Sequence, residues 1–446
     1  MSTRETGSLS RTLDDYALEA VPESERKSWL KLSWNTVGIC STLVTMLIGA
    51  LATFTVGFGL GVLAGVIAAV IGTVIGYLLG NISLREGLSS TVLTRLYGFG
   101  RDGSIVASCV FCFMILGMLA LENALLFKGV IFYFHLHPSV TDIVAIYGAF
   151  TVAWILLALF GMKLVYRVSS LTVVAFFAVL IYIVVQSLGS TQFTVSEVFS
   201  FGPQFGKPAT LAGFLTAINF VIGAAGALAL VAADHCRYAR GKKDVFLVNL
   251  FGMLTIDVVM VIAGGVIGYL GIGPVSHYYV SSRGMTQQAA EQAALTDMAT
   301  FFVVLAGVVG FILVFLAQGK AQVLNTYSGS LALSNIFSVL RLKVNRAVFV
   351  VLANIISLLM IYGGILGLVR GWLDALGVLT TAVAIISISD YYLIKKRSRA
   401  SVEALPGSRP ELVNLAGVVT LVVASVVALY LESVGIFPVP FVISTL

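Results

Sequence analysis

Charge is what this chain has least of. Only 11% of its 446 residues are Asp, Glu, Lys or Arg, against about 25% in average soluble domains. So few charges cannot cover a water-exposed surface, which excludes an ordinary soluble domain. Histidine is scarce too: His135, His137, His235 and His277 all fall near predicted helix ends and form no metal-ligand cluster. Of the four cysteines, Cys109 and Cys112 make a CxxC inside the apolar run SIVASCVFCFMILGM. No second ligand pair lies nearby, so packing is expected there and not zinc or redox chemistry. A Walker A sequence, an HExxH and a GxSxG with acid and His partners are all missing. The longest loops, about 190–210 and 273–296, leave no room for a soluble catalytic domain. No catalytic residue, metal site or cofactor is therefore expected, and enzymes are the disfavoured class. The first residues, MSTRETGSLSRTLDDYALEAVPESERKSW, carry mixed charge and no apolar leader. Residues 1–33 read as a cytoplasmic tail and not as a cleaved signal peptide.

What the chain has in abundance is apolar sequence, 59% of residues, with a mean hydropathy of +1.01. The apolar runs follow one another at lengths near the roughly 20 residues that cross a bilayer as a helix. They predict an all-α polytopic membrane protein of about twelve spans. The spans are about 34–58, 60–83, 104–134, 141–164, 171–189, 211–234, 246–272, 297–332, 347–369, 371–395, 412–431 and 434–446. Of the 27 Lys and Arg residues, four (Lys128, Lys207, Arg283 and Arg370) fall on one side and Lys320 falls within span 8. The rest fall on the other side, with the amino terminus. That asymmetry follows the positive-inside rule and predicts a cytoplasmic amino terminus in the cell membrane. The net charge of +6 is thereby explained as a topogenic signal, and no nucleic-acid partner is expected. Transport is the natural occupation for such a chain.

Glycine is plentiful, 44 residues, and most of it suits close helix packing in lipid. The stretch Gly223 to Ala227, GAAGA, interrupts span 6 at its middle. Asn35 to Thr42, NTVGICST, is its possible counterpart in span 1. Weakened helices at corresponding places in two halves point to broken helices around a midplane binding site.

Four motifs occur together and in order. They are VPESERKSW before span 1, ADHCRYARG (233–241) ending span 6, YSGSL (327–331) ending span 8, and ISDYYLIKKR (388–397) ending span 10. In these the chain resembles the nucleobase:cation symporter-1 family of purine and cytosine permease-like transporters. The resemblance implies two five-helix inverted repeats, here 34–189 and 211–395, with helices 1 and 6 broken, followed by two peripheral helices in 412–446. It also implies alternating access, with substrate held between helices 1, 3, 6 and 8.

The same resemblance implies the site residues. Sodium-coupled relatives hold the ion through carbonyls of helix 1, here Gly38 and Ser41, and hydroxyls of helix 8, which fall on Lys320 and Ala321. A hard cation needs oxygen ligands and neither residue supplies one, so sodium is not the expected ion and a proton is. The family's substrate-binding pairs fall on Ile115 and Met118 of helix 3 and on Ala224 and Ala225 of helix 6. Gly38 and Gln322 match further substrate positions, and Gln322 retains an amide that can read a base edge.

The residues themselves add Glu122, one turn after Met118 and on the same face of its helix. Aligning FMILGMLALENALL (113–126) with FILVFLAQGKAQVL (311–324) puts Glu122 and Lys320 at equivalent positions. An isolated charge at mid-bilayer costs roughly 2.5–3.5 kcal/mol on insertion scales. Lys320 precedes Arg341 by 21 residues, roughly 30 Å along a helix, too far to snorkel. Three roles stay open for Lys320: a static charge that pins helices, a proton carrier paired with Glu122 or replacing the ion, and a substrate contact. Asp257 in span 7 is expected to hydrogen-bond a neighbouring helix, and Asp234 with Arg237 to form a local pair or cap. The expected function is import of a nucleobase or related small heterocycle, proton-coupled or sodium-independent. The alternatives are a cationic metabolite drawn by Glu122, such as a thiamine precursor or amine, and an uncoupled uniporter. The oligomeric state is not legible.

Overall fold

The first apolar run does not form one helix. In the computed structural model it is two, Trp29–Cys40 and Leu43–Val56, bent by 69°. A break in lipid leaves backbone groups with no water to satisfy them, and neighbouring hydroxyls take them up here. The Ser41 hydroxyl donates to the Val37 carbonyl at 2.6 Å. The Thr45 hydroxyl reaches the carbonyls of Cys40 and Thr42 at 2.7 and 2.8 Å. Thr42 in turn caps the second half, its hydroxyl accepting from the Thr45 N–H at 3.5 Å. A cluster of hydroxyl residues, more than Gly38, places the break.

The structure describes residues 20–136, 139–160, 162–189, 193–206, 208–342, 344–395 and 411–445. Most of the expected tail, 1–19, lies outside the described residues, as do His137, Lys207 and the basic segment 396–410. After span 1 come span 2 (Phe58–Glu86), span 3 (Ser104–Tyr133), span 4 (Val140–Phe160) and span 5 (Met162–Gly189). Span 6 is Leu211–Cys236, and span 7 is Lys242–Arg283 with a π-helical turn at Leu254–Val259. Span 8 is Met298–Val339, kinked at Gly307, whose φ of 55° favours glycine. Spans 9, 10 and 11 are Arg346–Tyr362, Val369–Lys395 and Leu415–Ser433. Among the described residues, nine helices are long and apolar enough to cross a membrane, and the bent pair makes a tenth span. Span 9 is shorter.

Two expectations are corrected. The twelfth span, expected at 434–446, is only the six-residue helix Pro440–Thr445, which packs on spans 10 and 11. Gly435 adopts a φ of 71°, and Pro438 and Pro440 each remove a backbone donor, so a long helix cannot form. The second concerns the break in span 6, for span 6 runs unbroken through Gly223 to Ala227. Ala224, Ala225 and Ala227 are strong helix formers, and the glycines serve contact. A Cβ on Gly223 would lie 2.8 Å from the Leu373 carbonyl oxygen, and one on Gly226 would collide with the Thr380 hydroxyl, both of span 10.

The packing shows the symmetry of the two halves. Span 1 lies on span 7, and span 6 lies on span 2, while spans 3 and 8 pack extensively on each other. Exchanging each span for the one five further on maps these pairs onto one another. Glycine makes the span 1–span 7 seam close. A Cβ on Gly49 would sit 2.5 Å from Val261 Cα and 2.6 Å from the Met260 carbonyl oxygen. Gly49→Ala is therefore expected to destabilise by about 1–3 kcal/mol through overpacking, read as a lower thermal midpoint in detergent. Gly59→Ala, which meets nothing within 4 Å, should leave the midpoint unchanged.

Candidate functional site

Spans 3 and 8 both meet the second half of span 1 beside its break. Gln318 of span 8 joins all three. Its side-chain oxygen accepts from the Leu43 N–H at 3.3 Å, an amide freed at the start of the second half-helix. Its side-chain nitrogen donates to the Glu122 carbonyl at 3.1 Å. One turn on, Gln322 donates to the Leu119 carbonyl at 3.2 Å, while its own side-chain oxygen is buried without a partner among the described residues.

Glu122 and Lys320 both lie in this centre, 2% and 6% exposed. The Glu122 carboxyl faces the Thr42 hydroxyl and the Gln318 amide, with the Lys320 ammonium within charge range. No ion pair within 4.0 Å joins the two, and Glu122 Oε2 has no hydrogen-bond partner among the described residues. Residues two apart do not share a helix face, so Lys320 projects away from the Gln318–Gln322 seam. The Cys40 thiol, at the end of the first half of span 1, is the other group that feels its charge.

The remaining predicted residues divide. Gly38 and Ser41 are buried at the break. Ile115 packs toward Gly329 of span 8, 3.5 Å from where a Cβ would stand, and Met118 is partly buried against the same core. Ala224 is buried in span 6, but Ala225 faces span 2, its Cβ 3.1 Å from a Cβ built on Gly72. The structure thus brings Glu122, Lys320, Gln322 and the span 1 break together and leaves Ala225 in a packing seam. The local pair expected of Asp234 and Arg237 is met through the Asp234 backbone, while the Asp234 carboxylate reaches the start of the helix at Ser90–Leu96, 144 residues away. Arg237 Nε donates to the Asp234 carbonyl at 3.2 Å, and the Asp234 side chain accepts from the Ser90 N–H at 2.7 Å. The hydrogen bond expected of Asp257 is not there, for neither carboxylate oxygen has a partner among the described residues.

Several polar groups were missed from the sequence. Gln318 carried one signal, its spacing of one turn from Gln322. Asn123 accepts from the Trp154 indole at 2.9 Å, and Asn219 of span 6 donates to Asp374 of span 10. Trp372 of span 10 lies over Gly117 and 6.1 Å from the Phe113 ring, its indole nitrogen buried without a partner among the described residues. It supplies an aromatic surface against span 3 that the usual helix 3 and helix 6 positions lack. Nothing local in GWLDALG marks it, because its neighbours come from a helix more than 200 residues earlier.

Comparison with known proteins follows from this geometry. Residues 20–445 match the family described as permease for cytosine/purines, uracil, thiamine, allantoin. Among solved structures, the inward-facing conformation of Mhp1 superposes with a TM-score of 0.72 at 17% identity, covering 96% of this chain and 90% of that one. Mhp1, a nucleobase-cation-symport-1 family transporter, in a closed conformation with bromovinylhydantoin bound gives 0.66 at 19%, covering 96% and 92%. A substrate-bound, outward-open Na⁺-coupled sialic acid symporter gives 0.60 at 13%, covering 99% and 93%. Comparison with curated protein sequences finds no match. The structural likenesses show the shared inverted-repeat fold. The chain belongs to the family of permeases for cytosine/purines, uracil, thiamine and allantoin, and it is a multi-pass membrane transporter of the nucleobase/cation symporter kind, not an enzyme.

Proposed function

We propose that this permease imports a nucleobase or related small neutral heterocycle across the cell membrane by alternating access, with its amino terminus in the cytoplasm. Uptake is sodium-independent and coupled to protons. The observation that carries this reading is Lys320, buried beside the break in span 1 where the family resemblance places the sodium site. Lys320 and Ala321 bring no oxygen there, and an ammonium supplies the positive charge that a bound ion would otherwise bring. With Glu122 close by, the centre holds one basic and one acidic group, which suits an uncharged ligand. The unpartnered oxygen of Gln322 and the unpartnered indole N–H of Trp372 offer an acceptor and a donor for a heterocycle edge. A cationic metabolite is the second reading, favoured by the unpartnered Glu122 oxygen.

A thermal-shift screen of purines, pyrimidines, hydantoins and thiamine precursors tests this, at two pH values and with and without sodium. A ligand at 100 times its Kd stabilises by about 2.7 kcal/mol. A neutral heterocycle should raise the midpoint equally in sodium and in potassium. A sodium-dependent shift would overturn the sodium-independent reading, and a shift confined to cations would favour the second. Accumulation in proteoliposomes only when a proton gradient is imposed separates symport from uniport.

A further inference from the structure

The π-helical turn of span 7 presents a carboxylate that the proposed mechanism does not use. Asp257 is wholly buried, 0% exposed, and both of its oxygens lack hydrogen-bond partners among the described residues. An ionised carboxylate in that condition is expensive, because burial without pairing strips its hydration and returns nothing. Single-turn π-bulges inside α-helices are themselves frequent at functional sites. Here the bulge packs against span 2, span 6 and the first half of span 1.

The surroundings decide what satisfies the group. From span 1 the Cys40 thiol, the last residue before the break, lies within range of the Asp257 charge. No charged side chain from spans 2, 6 or 7 acts on it. The seam is tight: Gly65 of span 2 faces the Asp257 carbonyl so closely that a Cβ there would collide with it. Cys40 Sγ is directed at the Gly252 carbonyl, two residues before the bulge, at 3.9 Å.

We infer that Asp257 is a proton-binding site, distinct from Lys320 and Glu122, that holds its proton while the break in span 1 lies packed against span 7. The proton leaves to water only when the first half of span 1 swings off the bulge, because only then is the carboxylate hydrated. Proton occupancy at Asp257 and the position of span 1 are thereby linked, and each biases the other by the same free energy. The proposal does not depend on the substrate or on the role of Lys320.

Infrared difference spectroscopy on the full-length protein in lipid vesicles at neutral pH tests it without any ligand. The spectrum of the protein minus that of Asp257→Asn should contain a protonated-carboxyl stretch, and the same stretch should persist in Glu122→Gln. Ionised-carboxylate bands in the first difference, or no carboxyl band there at all, would overturn the assignment. Asn is nearly isosteric with the protonated acid, so this variant should fold. If it does not, raising the pH on the unsubstituted protein gives the second reading. Loss of the stretch should then coincide with a rise in Cys40 labelling by a thiol reagent steeper than that of the exposed Cys109, and loss with Cys40 labelling rising only in step with Cys109 would overturn the link to span 1. Failure of sodium-independent uptake would leave the infrared result standing, so the two proposals fail separately.

Discussion

Lys320→Ala should abolish accumulation of the substrate against its gradient in proteoliposomes. Removing the ammonium leaves Glu122, 2% exposed, as a buried acid with no cation in range. The two groups form no ion pair, so the variant removes a charge that Glu122 feels across the centre and not a contact. The expected result is therefore a lower thermal midpoint together with loss of pH-dependent accumulation. The double variant Lys320→Ala with Glu122→Gln should recover much of the stability, since it removes the uncompensated charge, but not the coupling. That pattern would separate a proton carrier from a charge that merely pins helices, which the double variant would replace in full. Pinning has its own signature, a coupling energy in the stability cycle with no change in the pH dependence of uptake. If Lys320→Ala still concentrated substrate in a pH-dependent way, Lys320 would have no part in coupling.

Gln318→Leu and Gln322→Leu should part company. Gln318 is the acceptor for the Leu43 N–H, one of the amides freed by the break. Leucine fills similar space and leaves that donor unsatisfied. A buried orphan donor costs about 1–3 kcal/mol, though hydrogen bonds between membrane helices average nearer 0.6 and reach about 1.7 kcal/mol. The loss should be felt as a lower thermal midpoint and as weaker binding, because the geometry of the break itself relaxes. Gln322 donates only to the Leu119 carbonyl, an oxygen with a second lone pair for its own helix bond. Its side-chain oxygen has no partner to lose. Gln322→Leu should therefore leave the midpoint nearly unchanged and weaken ligand binding about 10-fold, the worth of one hydrogen bond of about 1.4 kcal/mol. Equal destabilisation by both substitutions would show that Gln322 is structural and that the ligand does not read it.

The class and most of the span order were legible because lipid allows so few solutions. A run of about 20 apolar residues with internal hydrogen bonds is nearly obligatory once charge is scarce. The errors cluster where composition has two meanings. Gly223 and Gly226 read equally as a weak point and as a place of close approach, and only the carbonyl of Leu373 and the hydroxyl of Thr380 distinguish them. The last apolar run, 434–446, was already short for a span, and Pro438 and Pro440 keep it to one short helix. Glu122 and Lys320 could be singled out because charge in a span is costly. Gln318 could not, because an amide in a span is cheap enough to be ordinary.

From the sequence alone came the solvent of this protein, its helical class, its family resemblance and the two charges that needed explaining. Apolar length, basic asymmetry and charge cost are local or additive properties that no fold is needed to read. Tertiary structure alone decided that Gln318 bridges the break, that Lys320 and Glu122 share a centre without touching, that Trp372 covers span 3, and that Asp257 stands unpartnered. Each of these depends on which helices meet, and residues 196 or 275 positions apart, such as Glu122 with Gln318 and Leu43 with Gln318, acquire meaning only when packing brings them within 3.5 Å.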